Sequence, residues 1–167
     1  MIKRIVCIVL VFIASFSYAQ QTNKSYKIRT IGFYNLENLF DTVNDVEKND
    51  EASPIMHIQH GREEIYKDKI DKLSKVISQL GAEKTNTSPA ILGVAEVENK
   101  KVLSDLVDSE KLQKFDYDFV HYDSPDERGI DVGLLYQKGH FEVTHSESIP
   151  VLLYNDEGVR DYTRDTL

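Results

Sequence analysis

An α/β fold is what this sequence predicts, on three observations. The run Ile91-Leu92-Gly93-Val94-Ala95-Glu96-Val97 is almost wholly apolar and lies between Pro89 and Asn99, which marks a strand buried on both faces. Residues 61–80 repeat apolar side chains at helical spacing, with Lys, Asp and Glu on the opposite face. Residues 27–34 alternate and are rich in β-formers. Strand, helix and strand in that order make a βαβ unit, so the first two strands should be parallel neighbours.

The chain has 167 residues, 41% of them hydrophobic and 10% aromatic, enough for one domain with a packed core and too apolar for wholesale disorder. Its first residues look like a targeting segment. Lys3 and Arg4 form a basic start, residues 5–16 an apolar stretch, and Ser17-Tyr18-Ala19 a small-residue cleavage site before Gln20. Residues 1–19 are therefore expected to be a signal peptide, and the mature protein secreted or periplasmic. The apolar run is too short to span a bilayer comfortably. Cleavage removes two basic residues, no acidic one, and Cys7, the only cysteine. Net charge moves from −8 to −10, and no disulfide can form. So acidic a chain repels nucleic-acid phosphates unless a divalent cation bridges the two.

In chain order, residues 27–34 are the first strand, ending on the polar group Asn35-Leu36-Glu37-Asn38. Residues 41–54, dominated by Asp, Glu and Asn, read as an exposed mobile loop; they lack the central glycine and spacing of a helix-loop-helix calcium site. His57 and His60 read as surface residues. The helix at 61–80 should bury Ile65, Ile70, Leu73, Val76, Ile77 and Leu80, with Gly81 ending it. The strand at 91–97 follows, then a second helix over 100–114. Strands are expected at 116–121 and 130–136, joined by the turn Tyr122-Asp123-Ser124-Pro125-Asp126-Glu127-Arg128-Gly129. A fifth is expected at 141–153, bent at Pro150, and one more opens at 162–167. An end only a few residues into a strand suggests a fragment boundary at Leu167.

Polar groups stand at three strand ends: Asn35 with Glu37, Glu96, and the 123–128 turn. In open α/β sheets such ends converge on one edge, where sites are built. The same residues would equally serve to end strands and cap a helix. As a site, two carboxylates and an amide make an all-oxygen donor set suited to Mg2+, Mn2+ or Ca2+ rather than Zn2+. Arg128, on a turn beside a glycine, has the form of a phosphate fork.

Three motifs in this order resemble the N-terminal half of the endonuclease/exonuclease/phosphatase superfamily, in its deoxyribonuclease-I-like form and most nearly its secreted bacterial members. They are Phe33-Tyr34-Asn35-Leu36-Glu37-Asn38-Leu39-Phe40-Asp41, Gly93-Val94-Ala95-Glu96-Val97-Glu98-Asn99, and Asp123-Ser124-Pro125-Asp126-Glu127-Arg128-Gly129-Ile130-Asp131-Val132. The resemblance spans residues 27–167 and implies a four-layer α/β sandwich, incomplete here, with residues 20–167 its N-terminal portion. It also implies Mg2+-dependent hydrolysis of phosphate esters, most naturally phosphodiesters in DNA or RNA, with no stable protein partner. By the same resemblance Glu96 is the principal metal ligand and Glu37 lies near the metal. Asn35 orients the phosphate, Arg164 contacts it, and Arg128 is a looser analogue. The family's later Asp-x-Asn and Asp-His pairs, which activate water and contact the scissile phosphate, have no match before Leu167. His121, His140 and His145 sit in strands or at strand edges and are expected to be structural or on the surface. Two alternatives stay open: a secreted binding module that kept the fold and lost catalysis, and an esterase acting on lipid head groups or inositol phosphates.

Overall fold

A computed structural model describes residues 25–46, 48 and 50–167; the predicted signal peptide lies outside them. The main sheet has four strands: β1 (Ile31–Leu39), β2 (Ile91–Val97), β3 (Tyr117–His121) and β4 (Asp131–Gln137), in the order β1-β2-β4-β3. β1 and β2 pair in parallel, as the βαβ pattern requires, from Ile31↔Ile91 to Asn35↔Ala95. β4 runs antiparallel to both β2 and β3. β3 therefore points the same way as β1 and β2. The end of β3 and the start of β4 fall at the edge where β1 and β2 end, so the 123–128 turn reaches the shared edge although the sheet is mixed.

Helix α1 (Arg62–Gln79) connects β1 to β2, a single short turn α2 (Ala82–Thr85) follows it, and α3 (Lys100–Val107) follows β2. α1 buries Tyr66, Ile70, Leu73, Ser74 and Ile77. Ile65 and Val76, expected in the core, are exposed, because the buried stripe centres on Ile70, Leu73 and Ile77 and these two fall outside it. Gly81 takes φ 69° just past the helix, and a Cβ there would run into Thr30. α3 is capped by Asn99, whose side chain accepts the Val102 N–H at 3.0 Å. It stops at Val107, short of the predicted 114; a turn and a 3-10 segment at Gln113–Phe115 complete the stretch.

One core joins these elements. Leu36, Leu39, Leu92, Val94, Val97 and Leu135 from the sheet meet Ile70, Leu73 and Ile77 of α1 and Val102, Leu103 and Leu106 of α3. Both helices therefore cover the same face. The other face carries Phe33, 69% exposed, and with residues 142–147 and 165–167 it borders a groove of about 570 Å3. Up to the end of β4, the described residues thus form one helix layer on one sheet.

Two expectations change in the last third. Residues 141–153 do not form a long strand. Leu153–Tyr154 (β5) pairs with Arg160–Asp161 (β6) in a separate hairpin around Gly158. The segment at 162–167 contributes one isolated bridge, Ile149↔Thr166. Pro150 has no N–H to donate, and Glu142 to His145 are exposed, so no continuous ladder is available there.

The acidic segment 41–54 also departs from an open loop. Asp41, Asp50 and Ser53 are buried, and Asp50–Ala52 forms a 3-10 turn. Carboxylates hold it: Asp50 Oδ2 accepts the Asp45 N–H at 2.7 Å, and Asp41 Oδ1 accepts the Val43 N–H at 2.7 Å. Asp and Asn side chains close such turns by mimicking backbone acceptors.

Candidate functional site at the carboxyl edge of β1 and β2

Glu37, Asn38 and Glu96 adopt left-handed backbone conformations, with φ of 54°, 58° and 62°. For a residue with a Cβ this costs roughly 1–2 kcal/mol, so the surroundings must hold it. All three sit where the ladders break. The β1–β2 pairing runs regularly to Asn35↔Ala95 and resumes at Leu39↔Val97. The β2–β4 pairing likewise skips Glu96, passing from Ala95↔Val132 to Val97↔Asp131. Two bulges therefore lie side by side on one edge, and a bulge re-aims the side chains it carries.

Hydrogen bonds tie the two bulges together. The Asn38 N–H donates to Glu96 Oε2 at 3.0 Å, across 58 residues of chain. The Glu37 N–H donates to Asn35 Oδ1 at 2.8 Å. Lys69, reaching over from α1, donates to the carbonyls of Glu37 at 2.6 Å and Asn38 at 2.8 Å. Burial pulls the Lys69 ammonium below its usual range, and the negative charges of Glu37 and Glu96 partly restore it. Asn35 and Glu37 are exposed and Glu96 half-buried, so the group is accessible. Asn35, Glu37 and Glu96, predicted from separate strand ends, are thus brought together.

Arg128 and Arg164 form a second group, around Asp126. Asp126 is buried; its Oδ1 accepts the Arg128 N–H at 2.9 Å and lies 3.4 Å from Arg128 Nε, while Oδ2 lies 3.7 Å from Arg164 Nε. Both arginines use Nε here, which leaves their terminal amino groups as anion donors. The meeting of the two was not predicted, because 36 residues and the β5–β6 hairpin separate them in sequence.

A third group joins His121, expected to be structural or on the surface, to Asp123 of the 123–128 turn and to Asp131. His121 is buried, and its Nε2 lies 3.1 Å from Asp131 Oδ2. Asp131 Oδ1 also accepts from the Ser124 N–H at 2.8 Å and the Ser124 hydroxyl at 2.6 Å, closing the turn between β3 and β4. His121, Asp123 and Asp131 bring ligand-type atoms within 4.8 Å of one another. The Lys48 ammonium already sits among them, 2.7 Å from Asp123, 3.5 Å from Asp131 and 2.8 Å from the Glu98 carbonyl. Burial lowers the Lys48 pKa, but the two carboxylates outweigh it and raise the net value. Lys48 provides a counter-charge to Asp123 and Asp131, and His121, expected to be structural or on the surface, is buried beside Asp131. His57, His60, His140 and His145 are exposed.

Glu98 is fully buried, with Oε2 accepting the Asp41 N–H at 2.6 Å and Oε1 without a partner among the described residues. Burial, reinforced by the charges of Asp41 and Asp50, pushes its carboxyl up to about 7. Sequence reasoning missed Lys69, Lys48 and Asp126. Lys69 carried one faint signal: it borders the apolar stripe of α1, next to Ile70 and three residues after Tyr66.

Among the described residues, no helix is long and apolar enough to cross a membrane. No curated protein and no solved structure matches the chain. The endonuclease/exonuclease/phosphatase family model matches residues 30–167, which includes every residue of the three groups above. The chain belongs to the endonuclease/exonuclease/phosphatase family.

Proposed function

We propose that this chain carries the metal-binding part of a secreted, Mg2+-dependent phosphoesterase that cleaves phosphodiester bonds as a nuclease. The observation that supports it most is the paired bulge, which sets the carboxylate of Glu96 beside Asn35 and Glu37 at an accessible sheet edge. The family consists of nuclease- and phosphatase-type hydrolases that generally depend on a divalent metal. The donor set fits such an ion. It is made of carboxylate and amide oxygens, which suit a hard cation, and Glu96 is already oriented by the Asn38 N–H. The His121 group fits less well, since Lys48 occupies its centre.

In this reading Glu96 is the principal ligand of Mg2+, or of Mn2+ or Ca2+ in its place, and Glu37 lies beside it. The bound ion would supply Lewis-acid polarisation of the phosphate. Asn35 orients the phosphate by its side-chain amide. Arg164 and Arg128 offer their terminal amino groups to its oxygens, held in place by Asp126. Export rests on the basic and apolar pattern of residues 1–19. Water activation needs residues of the kind the family carries in its Asp-x-Asn and Asp-His pairs, and the sequence contains neither. A second reading is a secreted binding module that retains the metal edge without turnover.

The test has two arms. Titration calorimetry with Mn2+ should show one site in the chain and none in Glu96→Ala; equal binding by both would overturn the metal assignment. Hydrolysis of bis(p-nitrophenyl) phosphate and duplex DNA, assayed on the complete reading frame, should proceed with Mg2+ and stop with EDTA. Binding without any turnover would leave the binding module as the reading that stands.

A further inference from the structure

Four main-chain polar groups crowd into the two left-handed residues at the end of β1. The N–H of Glu37 is taken by Asn35 and the N–H of Asn38 by Glu96. The carbonyl of Glu37 is taken by Lys69, and that of Asn38 by Lys69 together with the Phe40 N–H at 3.1 Å. Peptide groups left without partners are costly, so partners decide whether such a turn persists. Asn35 and Glu96 can be both holders of the turn and members of the site. Lys69 differs: it comes from the centre of α1, where Tyr66 and Ile70 anchor the helix in the core.

We propose that Lys69 is a positioning residue, which clamps the carbonyls of Glu37 and Asn38 and so keeps the Asn38 N–H on Glu96 and the Glu96 and Glu37 carboxylates set for a divalent cation. The metal part of this inference rests on the reading of Glu96 as a ligand; the coupling from Lys69 to Asn38 does not. A lysine whose only task was solubility would point away from the sheet. This one has two short charge-assisted bonds to adjacent carbonyls, which fix one turn geometry. Its positive charge close to a cation opposes binding, but that effect acts through an exposed edge and is weakened by solvent, whereas loss of the clamp frees both left-handed residues.

Lys69→Met and Lys69→Arg separate these effects, since arginine keeps the charge and can reach both carbonyls, while methionine keeps only the stem. In a 15N–1H spectrum the Asn38 amide should lie downfield in the native chain, move upfield and exchange faster in Lys69→Met, and return in Lys69→Arg. Glu96→Gln identifies the resonance. Calorimetry with Mn2+ should show five- to tenfold weaker binding in Lys69→Met, restored to within about threefold in Lys69→Arg. Thermal unfolding of each variant checks that it folds. An Asn38 amide unchanged in a folded Lys69→Met overturns the clamp. Mn2+ binding by Lys69→Met that equals or exceeds the native value overturns the positioning role. If the native chain binds no Mn2+, the ligand reading of Glu96 fails and the metal part falls with it, while the amide data still decide the coupling.

Discussion

Glu98 and Asp41 meet through a 2.6 Å hydrogen bond from the Asp41 N–H to Glu98 Oε2, inside the protein and 57 residues apart in sequence. Burial is the main reason that the Glu98 carboxyl titrates near 7 rather than 4.5; the charges of Asp41 and Asp50 add to it, and the hydrogen bond and Lys48 only partly offset it. The folded value is raised, so the native state binds more protons than the unfolded chain between those two pH values. The stability from this group is full below about pH 4.5 and is lost as pH rises through about 7.

Glu98→Gln should remove that dependence. From the size of the shift, the native protein loses roughly 2–3 kcal/mol from this residue between pH 4.5 and 8. Urea unfolding at pH 5 and pH 8 should show the variant gaining on the native protein only at the higher pH. Parallel pH profiles would refute the assignment.

Glu96 is separable into a side chain and a backbone conformation. Glu96→Gly should lose the acceptor of the Asn38 N–H and bind no Mn2+, but incur no backbone penalty, because glycine reaches φ 62° without a Cβ. Glu96→Val should lose the ion and also about 1–2 kcal/mol, because a β-branched residue resists the left-handed region. Thermal unfolding of both variants distinguishes the two contributions.

Lys48 ties the acidic segment to the sheet edge through Asp123, Asp131 and the Glu98 carbonyl. Lys48→Met should cost about 1–3 kcal/mol, because it leaves the buried Asp131 without its ammonium neighbour. It should also speed proteolytic cleavage within residues 41–56. The raised folded pKa of Lys48 means that its contribution is present below about pH 10.5 and disappears above the folded value. Limited proteolysis at pH 8, native against variant, checks the prediction.

Asp126 serves both arginines from one buried carboxylate. Asp126→Ala should cost about 1–3 kcal/mol, since the Arg128 N–H loses its acceptor. Arg164→Ala should cost less than about 1 kcal/mol, because the 3.7 Å pair is partly solvated. On the proposed function, either change should raise KM for a phosphodiester more than it lowers kcat. Denaturant unfolding and steady-state kinetics in Mg2+ measure the two effects.

Residue order alone was enough for the βαβ unit, the parallel pairing of β1 and β2, the Asn99 cap and the convergence of Asn35, Glu37 and Glu96. These follow from short-range periodicity, from capping chemistry and from the rule that parallel neighbours end on the same edge. Other features needed the folded chain. The bulges at 36–38 and 96, the left-handed backbone of Glu37, Asn38 and Glu96, and the clamp from Lys69 depend on what stands opposite each residue. So do the burial of Asp41, Asp50 and Glu98, the seating of Lys48, and the meeting of Arg128 with Arg164 on Asp126. A charged side chain reads as solvated until its partner is known, and several of these partners, Asp41 for Glu98 and Asp123 and Asp131 for Lys48, lie tens of residues away.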